Sequence, residues 1–500
     1  MIPLTLREIA TAVGGRLVGG DPALTVTGSV EFDSRRVSAG GLFVAFAGEK
    51  ADGHDFAPAA TEAGAVAVIG THPVAAPTIV VADPLAAMGA LARAVVDRLP
   101  GLTIIGITGS SGKTSTKDLI AQLLTRVGPT VAPAGSLNNE LGLPHTALRA
   151  DASTRFLVLE MGARGPGHIH YLCQIAPPKV GVVLNVGVAH IGEFGSVEAI
   201  ALAKSELVEA LPSDGLAVLN GDDESVRAMA GRTGARVVTV GEASGATVRA
   251  VDVTLDARGR PSYTLVTAEG DRRTVRLGLA GRHQVGNTLA AAAVALALGL
   301  PVAHVATALG DLQPVSTRRM DVFDRADGVT VIDDSYNANP ASAAVALHAL
   351  AAIGSGRRRV AVLGYLAELG DHERAGHEQV GRLAAELGVD RIVVVGSAAR
   401  PIHDGAVAVS NWGGVSVQVT DQEAAVAWLA GELRPGDVVL VKGSRYRTWD
   451  IADALRGDHE LSADALRGDH ELSADALRGD HEAGADVPAK GVVAGKVVTP

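Results

Sequence analysis

Disulfide chemistry is missing from this chain: its 500 residues hold one cysteine, Cys173, so no internal bridge can form. A small buried thiol is the expected role, because no histidine motif accompanies it that would make a nucleophile. Aromatic residues are scarce, at 3%. The cores must therefore be built from Ala, Val and Leu in many short strands and helices. Long apolar runs are absent too. The stretch Leu289–Val302 falls short of the roughly 20 residues needed to cross a bilayer, and its alanines read as one buried helix. The start of the chain shows no basic stretch followed by an apolar core, so no secretory signal is expected, and neither is membrane insertion. Positive charge is in deficit, with 44 Lys and Arg against 55 Asp and Glu and a net charge of −11. Of that, −6 comes from Asp453–Glu482, where nine acids meet three bases. The mildly acidic remainder argues against a general nucleic-acid surface.

What is present is ample apolar material, 47% of residues, and 60 glycines. At about 150 residues per domain the length suggests three domains. The first hundred residues carry short β-like runs, Leu42–Phe46 and Ala65–Ile69, and end at Leu99-Pro100-Gly101, a plausible linker. From 102 to about 315, strands at Leu102–Ile105, Phe156–Leu159, Val180–Leu184 and Leu216–Leu219 alternate with helical patterns. That alternation implies a mainly parallel sheet covered on both faces. A second α/β series, with strands at Val329–Ile332, Val360–Leu363, Arg391–Val395 and Val438–Val441, makes a third domain. The fold expected is α/β in three domains, 1–100, 101–316 and 317–456, plus a tail over 457–500. In the tail, Ala452–Ser462 recurs at 463–473 and again, truncated, at 474–482. An 11-residue period drifts only about 20° per copy on a helix, but a glycine in each copy weakens that helix. A duplicated helix end, mostly solvated and without catalytic duty, is the expectation; a self-association segment is the alternative.

The chemistry begins at Gly106-Ile107-Thr108-Gly109-Ser110-Ser111-Gly112-Lys113-Thr114-Ser115, directly after an apolar strand and before a helix around Lys117–Ala121. A strand that breaks into a glycine-rich turn and then a helix points backbone N–H groups at one spot, which suits a phosphate chain. Lys113 adds positive charge there and Thr114 a hydroxyl for Mg²⁺. The first glycine of the general phosphate-loop pattern falls due at 107, where Ile107 stands. This is a variant of the loop.

Ligands of an open parallel sheet gather at strand ends. Glu160, after Phe156–Leu159, and Thr114 would supply hard oxygens to Mg²⁺. His190 lies in the loop after the next strand, and Lys204 follows in Ala203-Lys204-Ser205-Glu206. Taken singly, each has an ordinary alternative: a solvated strand end, a hydrogen-bonded loop histidine, the wet face of a helix. The densest polar cluster is Asp333-Asp334-Ser335-Tyr336-Asn337-Ala338-Asn339-Pro340, again after a strand. It suits a bound polar ligand, with a helix N-cap as the alternative. In Gly281-Arg282-His283-Gln284-Val285-Gly286-Asn287, the imidazole and the Asn287 amide would flank an adenine, unless they simply begin a helix.

Taken in order, Gly109–Thr114, Asn138-Asn139-Glu140-Leu141-Gly142, Leu159-Glu160-Met161-Gly162, the His190 loop, Ala203-Lys204, Gly281-Arg282-His283, Asp333–Pro340 and Lys442-Gly443-Ser444-Arg445 resemble the Mur ligase family over about residues 1–456. The resemblance implies a small N-terminal α/β substrate domain, a central P-loop parallel-sheet ATPase domain and a C-terminal Rossmann-like domain. It implies a cytoplasmic, ATP- and Mg²⁺-dependent ligase, expected as a monomer, in peptidoglycan precursor synthesis. The Asp-Asp-Ser-Tyr-Asn-Ala-Asn-Pro segment implies the member that joins D-alanyl-D-alanine to UDP-N-acetylmuramoyl-tripeptide through an acyl phosphate. The Asp-Asn-Pro-Arg expected of the relative that adds diaminopimelate or lysine is absent. By the same resemblance Lys113, Glu160, His190 and Lys204 are catalytic. Thr114, Glu160, His190 and a carbamylated Lys204 serve the metals, and Gly109, Ser110, Ser111, Gly112, Lys113, Thr114, His283, Asn287, Arg319 and Asp334 hold ATP. Ser34, Arg35 and the Asp52–Phe56 segment, Asn138, Asn139, Tyr336, Asn337 and Asn339 face the substrates. Of the adjacent Arg318 and Arg319, the second stands directly before the apolar Met320, as in the family pattern. Tyr365 departs from that pattern, standing where an acid is usual. Folate polyglutamylating ligases, P-loop kinases and a non-catalytic scaffold are the rival readings.

Overall fold

The computed structural model describes residues 1–48, 51–187, 191–444 and 446–457. His190, Arg445 and the repeats beyond Gly457 lie outside the described residues. Three large sheets organise the rest. The first has the order Arg16–Val18, Thr78–Val80, Ala65–Gly70, Gly41–Val44, Val30–Glu31, parallel except where Arg16–Val18 meets Thr78–Val80.

The nine-stranded second sheet runs Arg272–Arg276, Pro261–Val266, Val248–Leu255, Arg236–Gly241, Leu216–Asn220, Val180–Val183, Thr103–Thr108, Phe156–Glu160, Thr130–Val131. Its centre is parallel, and its strands there are buried on both faces, which is why they read as unbroken apolar runs. The hairpins that join Val248–Leu255, Pro261–Val266 and Arg272–Arg276 are antiparallel. Their outer strands alternate or expose their charges, so the apolar-run signal misses them.

The third sheet has the order Asp321–Asp324, Thr330–Asp333, Val438–Lys442, Arg359–Leu363, Arg391–Val395, Val415–Val419, with only the first pair antiparallel. Val438–Lys442 enters between strands 79 and 108 residues earlier in sequence, so a segment from far along the chain closes the sheet's middle.

Two features of the second sheet position the site. Thr103–Thr108 occupies its centre and delivers the glycine turn into the helix Lys113–Leu124. Against that helix packs Gln284–Ala297, whose alanines allow the two axes to come close. The single helix expected over Leu289–Val302 is corrected here: it stops at Ala297, and a separate helix, Val302–Gly310, follows. Gly299, at φ 95°, turns the chain out of the first helix, and Pro301 starts the second without needing an amide hydrogen.

Candidate active site

Backbone geometry shapes the phosphate loop before any side chain acts. Gly112 sits at φ 81°, and a Cβ there would lie 2.8 Å from Asn287 Oδ1. A Cβ on Gly109 would come within 2.9 Å of the Leu184 side chain. Only glycine fits either place. The loop is pinned from the next strand end: Ser111 N–H donates to Asn185 Oδ1 at 2.9 Å, and Gly187 N–H to Ser110 Oγ at 2.8 Å. Lys113 Nζ folds back onto Gly109 O at 2.8 Å, so its cation hangs over the same amides. Desolvation lowers its pKa, with Glu160 pulling the other way.

Two of the ordinary alternatives are overturned. Glu160 is 0% exposed and Lys204 4%, so neither is a solvated strand end or a wet helix face. Glu160 Oε2 accepts from Ser136 Oγ at 3.1 Å, but its Oε1 is buried without a partner. An orphaned buried carboxylate oxygen is costly unless something cationic or donating fills the gap. Together with the Thr114 hydroxyl it makes a hard-oxygen donor set that fits Mg²⁺. Burial, and secondarily the charge of Lys113, lowers the Lys204 ammonium to about 7. That direction favours the neutral amine, the form that can react with carbon dioxide.

The opposite wall is supplied by the third sheet. Asp334 Oδ2 pairs with Lys442 Nζ at 2.6 Å, Asp334 Oδ1 accepts Met320 N–H at 3.2 Å, and Lys442 also donates to Asn337 O at 2.9 Å. Ser444 Oγ donates to Asn337 Oδ1. Asp333 turns the other way, buried against Ser335 Oγ, and desolvation raises its carboxyl. Asn339 does cap the helix Pro340–Ile353, through Ser342, while still lining the cleft. The capping alternative thus accounts for one residue of the cluster. Arg319 stacks 4.1 Å over the Tyr336 ring and brings a guanidinium nitrogen 3.5 Å from Thr114 Oγ1. Arg318, one residue earlier, ion-pairs with Asp453 at 2.9 Å.

One cleft of about 1550 Å³ runs between these walls. Ser110 to Thr114, Asn138, Asn139, His283, Asn287, Arg319, Asp334, Tyr336, Asn337 and Asn339 all line it. His283 stands at the start of the helix Gln284–Ala297, with its Nδ1 buried and unpartnered. Desolvation pushes its imidazole down to about 4. Asn287 Nδ2 is held by Gln284 Oε1 at 3.0 Å. Glu160 and Lys204 are buried and not among the lining residues, Glu160 being tied to the lining Ser136.

Ser34 and Arg35 are not among the lining residues. Arg35 instead pairs with Asp33 at 2.7 Å on a short turn that Asp33 caps. It is Phe32, just before them, that lines the cleft. His54 is also committed internally, between Asp52 Oδ1 at 2.6 Å and the Thr71 amide at 3.0 Å. Tyr365 donates to Glu373 Oε2 at 2.8 Å. Sequence reasoning singled out the Lys442–Arg445 segment but gave Lys442 no role, although it is the polar residue at the end of an apolar strand, the signal that found Glu160. It also missed Ser136, which nothing in Pro133-Ala134-Gly135-Ser136 singles out. Cys173 is buried beside Met161, and desolvation raises its thiol to about 12, as a packing residue requires.

Comparison with known proteins covers nearly the whole chain. Family profiles described as Mur ligase family, catalytic domain, Mur ligase middle domain, and Mur ligase, glutamate ligase domain match residues 27–100, 107–295 and 318–445. The UDP-N-acetylmuramoyl-tripeptide–D-alanyl-D-alanine ligase of Mycobacterium tuberculosis is 50% identical over 92% of this chain and 98% of its own length. The Escherichia coli ligase of the same name is 35% identical over 89% of this chain and 96% of its own. A crystal structure of MurF from Acinetobacter baumannii superposes with a TM-score of 0.82 at 31% identity, covering 91% of this chain and 99% of that one. MurF from Thermotoga maritima in complex with ADP gives 0.75 at 31% identity, over 87% and 98%.

Proposed function

The chain belongs to the Mur ligase family, and from that premise we propose that it is the ATP-dependent ligase joining D-alanyl-D-alanine to UDP-N-acetylmuramoyl-tripeptide in peptidoglycan precursor synthesis. The observation that carries the reading is the shared cleft: a phosphate loop with Lys113 and Thr114 on one wall, and Asp334, Tyr336, Asn337 and Asn339 on the other. A phosphoryl donor and a second polar substrate then occupy one compartment. A P-loop kinase would release a phosphorylated product from such a site, whereas an amide ligase holds the acyl phosphate for the incoming amine.

A carboxylate repels an amine nucleophile and offers no leaving group. Transfer of the γ-phosphoryl group to the terminal carboxylate of the tripeptide turns an oxide into a phosphate leaving group, and the free amine of D-alanyl-D-alanine displaces it. Amide, ADP and phosphate result. The protein's share is positioning and charge neutralisation. Lys113 exchanges the Gly109 carbonyl for a phosphate oxygen, and Arg319 brings a second cation to the same spot. Thr114 and Glu160 would hold one Mg²⁺, and His190 with a carbamylated Lys204 would serve a second; the ions would supply Lewis-acid neutralisation of the phosphates. His283 and Asn287 take the adenine and Asp334 the ribose. Tyr336, Asn337 and Asn339 orient the dipeptide. Residues 1–100 take the UDP-sugar on the side where Phe32, Asn138 and Asn139 line the cleft, with Ser34 and Arg35 reaching it only from outside that lining. Closure of 317–456 over the cleft keeps water from the acyl phosphate. One chain supplies both walls, from which we infer a monomer, and substrates such as ATP and a UDP-linked precursor support a cytoplasmic location. Among the described residues no helix is long and apolar enough to cross a membrane.

The test supplies ATP, Mg²⁺, UDP-N-acetylmuramoyl-tripeptide and D-alanyl-D-alanine and follows pentapeptide together with stoichiometric phosphate. Folded protein that makes no pentapeptide overturns the reading. Lys113→Ala is expected to abolish turnover and to leave the thermal midpoint close to that of the parent.

A further inference from the structure

Lys117 and Asp118 touch no candidate ligand position, yet they are 0% and 7% exposed and form an ion pair of 2.5 Å. Burying two charges needs a reason, because an apolar pair of the same volume usually does as well or better for stability. The reason lies in what each end holds. Lys117 Nζ donates to the carbonyls of Pro133 at 2.7 Å and Gly135 at 3.1 Å. The next residue, Ser136, donates to Glu160 Oε2, and Asn138 Nδ2 fixes the Ser136 hydroxyl at 3.0 Å. Asp118 faces the other way and accepts the Ser316 amide at 3.2 Å. Three residues on from Ser316, Arg319 reaches back to Thr114.

Asp118 is also the first of a stripe. Positions 118, 122 and 126, spaced by four, share one face of the helix Lys113–Leu124 and its first continuation. Each is bonded to the linker that leads into the third sheet. Gln122 exchanges two hydrogen bonds with the backbone of Gln313, at 3.0 and 3.1 Å, and Arg126 pairs with Asp311 at 3.1 Å. The linker thus runs antiparallel along the helix, from 311 beside its far end to 316 beside its second turn.

We propose that the Lys117–Asp118 pair and Gln122 are positioning residues that make the phosphate-loop helix a common reference for both halves of the nucleotide site. The Lys117 side sets the Ser136 loop and through it the free oxygen of Glu160. The linker side sets Arg319 over Thr114. This rests on the proposed function only in that the cleft binds a nucleoside diphosphate with Mg²⁺.

Calorimetric titration with ADP, in the presence and absence of Mg²⁺, separates the two sides without any turnover. The double variant Lys117→Met, Asp118→Asn removes the charge pair but keeps an oxygen for the Ser316 amide. It is expected to lose about tenfold of the affinity that Mg²⁺ adds, as when an outer partner of a metal ligand is removed, with metal-free ADP binding unchanged. A folded double variant with the parent's full Mg²⁺ gain overturns the proposal. Should that variant not fold, Gln122→Ala decides. It cuts the two linker bonds and one bond within the helix, from Gln122 Nε2 to Asp118 O at 3.3 Å, and it is expected to weaken ADP several-fold whether or not Mg²⁺ is present; parental affinity overturns the proposal. A parent protein that binds ADP with Mg²⁺ but forms no amide would sink the ligase reading and leave this one standing.

Discussion

His283 illustrates how a single residue acquires its state from its surroundings. Burial pushes the imidazole down to about 4, with Asp334 opposing the shift and Lys442 adding to it, from an ordinary value of 6.5. Between those two values the unfolded chain binds more protons than the folded one, so stability rises with pH across the window and falls as acid is added. The whole effect is at most about 3 kcal/mol. His283→Gln is expected to show a shallower fall in Tm from pH 6.5 to 4 than the parent, read by thermal melts at fixed ionic strength. A neutral ring is also the form suited to lie against a base. Lys204 carries a second residue-scale prediction. If it works as a carbamate, Lys204→Ala should regain part of its activity when formate or acetate is added, and absence of any rescue would speak against that role. Neither residue could be judged from its neighbours in sequence. Lys204 stands among alanines and acids that read as a helix surface, and only packing shows that the surface is covered.

Among elements, the glycine turn between Thr103–Thr108 and Lys113–Leu124 was legible because its chemistry is local: a buried strand, special backbone angles and a helix start, all within twelve residues. Gly112→Ala tests it. A side chain in the left-handed region costs about 1–2 kcal/mol, and here it also meets Asn287 Oδ1 at 2.8 Å. A drop in Tm and a weakened ADP titration are expected together. The central parallel strands were equally legible, since burial on both faces leaves continuous apolar runs. The hairpins between Val248 and Arg276 were not, because a strand wet on one face mixes Arg, Thr and Asp with its apolar residues. The run Leu289–Val302 misled for a related reason. Composition suggests one helix, but the chain ends it with Gly299 and Pro301, punctuation that outweighs apolar content.

For the whole molecule, the helix Trp449–Arg456 closes with Gly457 in the left-handed region, and its face packs on the third sheet through Ile451, Ala452 and Leu455. Those residues complete the core, and removal of 463–500 is expected to leave pentapeptide formation at the parental rate, measured in the same assay. The sequence by itself determined the phosphate loop, the three α/β series and the family, because glycine patterns, apolar runs and strand-end polar residues are short-range signals that survive without coordinates. Only the tertiary structure decided which polar residues belong to one site. It showed Glu160 and Lys204 buried, turned Asp333 away while Lys442 held Asp334, gave Arg319 and Arg318 different partners on the same cleft, and left Ser34 and Arg35 outside the cleft that Phe32 lines. The physical reason is that burial, orphaned oxygens and charge pairing are properties of groups brought together from residues more than four hundred positions apart, and desolvation has no local signature in the chain.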